Sequence, residues 1–341
     1  MKKIYSLIAA ALLTTASTQA LAVDTSFWGV LHEYVETDNV TGGPTDNKPG
    51  VKLTNFISVI GFKAVEPLND IDPGLKFQLD LVSDFYSDAP NSNYATGTPS
   101  ERTTRIGNQQ STAGFIDDNW GVTFGHNAHA VWENLRSNAP LRDLEGSMIG
   151  EIHQRQKLRL SNAVFTWVKP IDGIKLGYEH GFSEVQGRGD AQTFSAEVTM
   201  IPNLRLTGTH YQEGYTATGY AKENKTDLFT ASYQVIEGTK VWYTYSNDTY
   251  QDKVSQGNSI YVSQVITPRF NVAAGYGWRD TDNVKGYVLG ANYSLTKHLT
   301  LQARVLKETA DNAINMTTAN DLGGIVGKDR TNIGIGVEFL F

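Results

Sequence analysis

Cysteine is absent from the 341 residues, which excludes a disulfide scaffold, a thiolate zinc site and a cysteine nucleophile. Long apolar runs are missing too. Beyond the first two dozen residues no stretch reaches the roughly 18 to 20 consecutive apolar residues that a spanning helix needs. Basic residues are in deficit, 29 against 36 acidic, giving a net charge of −7, and so acidic a chain lacks the basic face that nucleic-acid binding requires. Catalytic signatures are scarce as well: there is no G-x-S-x-G elbow and no Ser, His and Asp set that the sequence alone groups. What is present is aromatic and β-branched surface, with aromatics at 11%, enough to argue against disorder. The mean hydropathy of −0.32 reads, taken alone, as that of a water-soluble protein.

The first 22 residues have the layout of a secretory signal: Lys2 and Lys3, the apolar run from Ile4 to Leu13, then small and polar residues ending in Ala20-Leu21-Ala22, an A-x-A cleavage site before Val23. Cleavage removes two of the 29 basic residues and none of the 36 acidic ones, taking the net charge from −7 to −9 over 319 residues. No stop-transfer segment follows, so the mature chain is expected to leave the inner membrane.

In the mature chain, helical periodicity gives way to period-two alternation in segments of about ten residues. Ile333, Ile335, Val337, Phe339 and Phe341 share one face with Thr331, against Asn332, Gly334, Gly336 and Glu338. Phe270, Val272, Ala274, Tyr276 and Trp278 likewise alternate with Asn271, Ala273, Gly275, Gly277 and Arg279. A soluble sandwich also alternates, so the second signal is the placing of aromatics. Trp120, Trp167, Tyr178, Tyr211, Tyr245, Trp278, Tyr287 and Tyr293 sit near segment ends, as expected of the girdles at a bilayer's two interfaces. Connections alternate between tight ones, such as 169–172, 202–203, 237–238 and 267–268, and long polar ones. This is the asymmetry of short periplasmic turns and long outer loops.

Candidate strands fall near 26–36, 53–64, 74–85, 109–117, 120–126, 156–168, 173–182, 190–200, 203–212, 226–236, 239–248, 257–266, 269–279, 284–294, 297–308 and 330–341. The expected fold is therefore all-β: a transmembrane antiparallel barrel of about 16 strands spanning 23–341, wide enough to hold a water channel.

At this point the chain resembles the general diffusion porins of Gram-negative bacteria. Ser58-Val59-Ile60-Gly61-Phe62-Lys63, Pro67-Leu68 and Gly74-Leu75-Lys76-Phe77-Gln78-Leu79 resemble that family's second and third strands. Ala113-Gly114-Phe115-Ile116 with Trp120-Gly121-Val122-Thr123-Phe124-Gly125 resembles the hairpin before its constriction loop, and Arg159-Leu160-Ser161-Asn162-Ala163-Val164-Phe165 the strand after it. Phe341 resembles the terminal aromatic of the family's assembly signal, read by the barrel-assembly machinery. The resemblance implies a homotrimer embedded in outer-membrane lipid and lipopolysaccharide, a third outer loop folded inward, no cofactor, and small hydrophilic solutes as the cargo.

A pore performs no bond chemistry, so its specificity lies in bore, charge and lining. The candidate constriction loop, 127–154, carries Glu133, Asp143, Glu145 and Glu151, which in a narrow lumen would favour cations. Arg155, Lys157 and Arg159 share a parity and would form a basic wall, because three cations on the lipid face would each cost about 2 to 4 kcal/mol near the midplane. Parity adds Lys63, Lys76, Asp80, Lys175, Glu179, Arg279, Arg304 and Glu338 to the lumen, while Arg102 and Arg105 follow a polar loop.

Two positions depart from the family: Val59 stands where many relatives carry a constriction arginine, and His126 where another follows the Phe-Gly pair. His126, with His129 and Glu133, also suggests a metal set, but at loop spacings that carry little weight. Asn69 to Gly74 reads as an Asx/Pro turn rather than a calcium loop. Gly323 to Lys328 lacks the Ser/Thr of a phosphate loop and reads as an outer loop. Trp132, with Trp28 and Trp242 if they face inward, seeds the alternative of an oligosaccharide-selective, chitoporin-like channel. A barrel enzyme and an adhesive barrel are the readings from other classes.

Overall fold

The computed structural model describes residues 23–43, 50–55, 58–84, 110–128, 159–182, 188–215, 224–250, 253–315 and 326–341. They form one antiparallel sheet of strands β1 (Asp24–Thr41), β2 (Gly50–Asn55), β3 (Val59–Pro67), β4 (Lys76–Asp84), β5 (Gln110–Ile116), β6 (Trp120–Ala128), β7 (Arg159–Ile171), β8 (Ile174–Gly181), β9 (Arg188–Val198), β10 (Leu204–Tyr215), β11 (Asn224–Ile236), β12 (Thr239–Tyr250), β13 (Lys253–Thr267), β14 (Phe270–Arg279), β15 (Val284–Ser294), β16 (Leu299–Asn315) and β17 (Val326–Leu340).

Each strand pairs with its sequence neighbours, and β1 pairs with β17, so the sheet closes on itself. Closure leaves no edge, the condition for a sheet to survive in lipid. β2 and β3 together make one traverse. β1 pairs Glu33 with Asn55 on β2 and Val30 with Val59 on β3, so β1 advances three steps where its partner advances four. The His32 amide finds the Ser58 hydroxyl at this irregularity, 3.3 Å away. The barrel is therefore sixteen-stranded in cross-section, and every candidate strand read from the alternation has its counterpart.

The two faces separate as the alternation requires. On β16, Leu301, Ala303 and Val305 are exposed on the outside, while Gln302, Arg304, Leu306 and Glu308 are buried on the inside. Ile335 and Leu289, at 66% and 59% exposure, belong to the same outer belt. Such apolar exposure is untenable in water and correct against hydrocarbon. Outward aromatics pair across strands: Phe27 with Phe62 at 4.9 Å between ring centroids, Tyr178 with Phe194 at 4.9 Å, and Tyr276 with Tyr287 at 4.9 Å.

Six of the eight expected girdle residues face outward. Trp167 and Tyr211 do not: Trp167 shares the inward row with Ala163, and Tyr211 is fully buried in the row of Thr207 and Thr209. Nearness to a segment end fixes height, whereas parity fixes the face, and for these two the parity is inward.

Most short turns lie at the end of the barrel that carries both 24 and 341. Residues 68–75 form one of them, where the Leu68 amide bonds the Leu75 carbonyl at 2.8 Å and Gly74 takes φ +100°. At the other end two connections are shorter than the alternation of lengths led one to expect. β12 and β13 pair up to Tyr250 and Lys253, and β14 reaches β15 through a 3-10 turn at Thr281–Asn283. There the hairpins themselves run on past the apolar belt. For the same reason β17 begins at Val326, four residues before the expected 330.

Candidate functional site: the lumenal wall

The inward rows of the strands make the site, and their charges come mostly as neighbours of opposite sign. On β1, β16 and β17, Arg304 is ion-paired with Glu36. Its Nε donates to Asn332 at 3.0 Å, and its guanidinium stacks on Tyr34 at 5.0 Å. Asn332 in turn donates to Glu36 at 3.1 Å, and Arg330 reaches Glu308 at 3.4 Å. Beside them the His32 Nε2–H donates to the Gln302 side-chain carbonyl at 2.6 Å, which also accepts from the Tyr34 hydroxyl. These groups are almost wholly buried, where an ion pair persists best when further contacts satisfy its partners, as Asn332 and Tyr34 do for Arg304 and Glu36.

On β3 and β4, Lys63 and Asp80 stand directly opposite each other in the inward row, and Gln78 donates to Asp80. Lys76 lies at the short-turn end, 3.9 Å from Asp118. Val59 is buried in the inward row. Lys175, Glu179, Arg279 and Glu338 also occupy inward positions.

The register places His126 opposite Ser111, in the outward row of Val122 and Phe124, just beyond Gly125 at φ +131°. Arg159 opens β7 opposite Ala128. Between Arg159 and Ala163 a bulge with Asn162 at φ 51° interrupts the even-odd count, so parity does not carry across it. Glu133, Asp143, Glu145, Glu151, Arg155, Lys157, His129 and Trp132 lie outside the described residues.

Sequence reasoning missed a second cluster on β7 to β12. Arg205 makes a two-nitrogen contact with Glu197, at 2.5 and 3.1 Å. Lys175 lies over the Trp167 ring at 4.8 Å and Lys240 over Trp242 at 4.9 Å. The signal was available, since Arg205 and Lys240 begin alternating segments on the polar parity. On the outer wall, His210 with Asp227 at 2.7 Å and His180 with Asp190 at 3.1 Å place polar pairs above the apolar belt.

A family model described as Gram-negative porin matches residues 7–313. No curated protein sequence matches the chain. Among solved structures, the anion-selective porin from Comamonas acidovorans is similar at TM-score 0.74 and 15% identity, covering 94% of this chain and 100% of that one. OmpT of Vibrio cholerae is similar at 0.69 and 13%, covering 95% and 99%. Salmonella typhi OmpF in complex with daunomycin gives 0.65 and 14%, covering 93% and 97%. A closed barrel with an apolar outside, a polar inside and this match is an outer-membrane channel, and the chain belongs to the Gram-negative porin family.

Proposed function

We propose that the protein is a passive diffusion channel for small hydrophilic solutes and ions, without enzymatic activity, made with a cleaved signal peptide and assembled as a homotrimer. The observation that carries this reading is the segregation of the wall: the buried polar and charged side chains lie in the inward rows, beside a smaller apolar and aromatic cluster that includes Leu228, Trp242, Tyr261 and Leu306, while aliphatic and aromatic side chains dominate the outward rows. A lumen so lined is wetted, and solutes cross it without conformational work. A trimeric form is recorded for the similar Vibrio cholerae OmpT, which supports the oligomer. Phe341, at the seam where β17 meets β1, is the assembly signal in this account.

Charge selectivity is weak and leans to cations. Arg304, Arg330 and Arg205 are each paired with an inward acid, so the wall largely cancels. The bias then comes from the mature charge of −9 and from Glu133, Asp143, Glu145 and Glu151 in 127–154. Swelling of liposomes carrying the protein in sugars of increasing size tests the channel. Swelling that falls off smoothly with solute size supports it, and no swelling in the smallest sugar refutes it.

A second reading, an oligosaccharide-selective channel, draws on Trp28. Its ring lies inside the barrel against Gly61, 38% exposed, a flat surface on which a sugar can stack. Saturable block of single-channel current by neutral oligosaccharides, lost in Trp28→Ala, would favour this reading.

A further inference from the structure

Three inward cations occupy the same step of alternate strands: Lys175 is the second residue of β8, Arg205 of β10 and Lys240 of β12. Each therefore sits one residue above a short turn, and neighbours in the series stand two strands apart, about 10 Å along the wall. Trp167 backs Lys175 and Trp242 backs Lys240. These cation–π contacts hold each ammonium against the wall without neutralising it. Glu197 engages Arg205 and also stands opposite Lys175 in register, one acid against three cations, and among the described residues neither Lys175 nor Lys240 has a carboxylate within ion-pair distance. The strip is thus net positive.

Higher on the same strands the inward row turns acidic: Glu179 on β8, Glu213 on β10 and Asp248 on β12. Glu213 accepts from the Tyr211 hydroxyl at 3.0 Å and Asp248 from Thr226 at 2.7 Å. Two further polar groups lie beside the strip. The Trp242 indole N–H and the Ser232 hydroxyl, opposite each other in register and more than nine-tenths buried, have no hydrogen-bond partner.

We propose that this strip, at the short-turn mouth of the lumen, is a binding site for linear acidic oligosaccharides whose carboxylates recur along the chain. A row of cations longer than any single small anion suits a ligand that meets Lys175, Arg205 and Lys240 with successive sugars. The acids above the strip repel such a ligand, so it engages from the short-turn side and is held there. The inference rests on the channel reading.

The test is single-channel block in planar bilayers with oriented insertion, using tetragalacturonate and, as the neutral control, maltotetraose. Tetragalacturonate is expected to block from the short-turn side at lower concentration than from the loop side, and more strongly than maltotetraose. The K175Q/K240Q variant is expected to remain an open channel, with the shift toward cations that the loss of two positive charges brings, and to need roughly tenfold more blocker, two partly exposed charge contacts together being worth about one factor of ten. K175R/K240R is expected to keep the block. Conductance without block, equal block by both sugars, block from the loop side only, or block unchanged in K175Q/K240Q would each overturn the site while leaving the channel standing. A protein that does not conduct at all would overturn both.

Discussion

The ring of Phe341 lies over the α-carbon of Gly29, so close that a Cβ at Gly29 would stand 2.1 Å from the ring. The same two residues exchange backbone hydrogen bonds, at 2.9 and 3.1 Å, across the seam where the last strand meets the first. The terminal aromatic therefore does mechanical service in the closed barrel: it pins the end of β17 to β1. Gly29→Val forces the ring out and is expected to destabilise the folded barrel by about 1–3 kcal/mol, the usual range for overpacking. Phe341→Ala, which removes the ring but keeps the backbone pair, is expected to cost less in the folded state and more in assembly yield. Heat-modifiability on gels measures the first effect and outer-membrane yield the second.

The Arg304, Glu36 and Asn332 network predicts strong coupling. Glu36→Gln leaves a buried guanidinium without its counter-charge, and the expected loss is about 3–5 kcal/mol. Replacing both partners, as E36Q/R304Q, is expected to recover most of it, because no unpaired charge remains. Denaturant unfolding of the detergent-solubilised barrel, run as a double-mutant cycle, provides the coupling energy. Additive single effects would contradict the network.

The absence of cysteine makes the facing of each strand directly measurable. Single cysteines at Ser195 and Asn292, in inward rows, are expected to react with a charged, membrane-impermeant maleimide and to reduce conductance once modified. Cysteines at Leu289 and Ile335, in the outer belt, are expected to resist that reagent in lipid. Arginine at Leu289 or Ile335 is expected to cost about 2–4 kcal/mol if the position lies near the midplane.

Charge balance along the lumen predicts the ion preference. Reversal potentials in a salt gradient are expected to show modest cation selectivity. K175Q/K240Q, which removes two positive charges, is expected to increase it. Both effects are expected to be larger in 0.1 M than in 1 M salt, where the Debye length falls from about 10 to about 3 Å. Anion preference in the unmodified protein would refute the assignment.

Strand positions were legible in the sequence because a wide barrel repeats one local rule, outward apolar and inward polar, around its whole circumference. Leu301, Ala303 and Val305 against Gln302 and Arg304 is that rule in five residues. The rule fails where the backbone skips a step. The bulge at Asn162 and the offset between β2 and β3 shift the count without leaving a mark in hydropathy, which is why parity could not carry Arg159 to a face. Trp167 and Tyr211 misled for another reason, since an aromatic near a turn is girdle or lining according to a single residue of register. The basic strip escaped notice because Lys175, Arg205 and Lys240 are dispersed over 66 positions of sequence and come together only when the five strands β8 to β12 pair in order. The low mean hydropathy follows from the same architecture, because only every second strand residue meets lipid.

Single-channel recording of the purified protein in a planar bilayer tests the central claim most directly. A water-filled trimer should insert with conductance steps that come in threes and scale with bulk salt, and charged maleimide on a cysteine at Ser195 should lower each step. A protein that inserts yet passes no current would contradict the account.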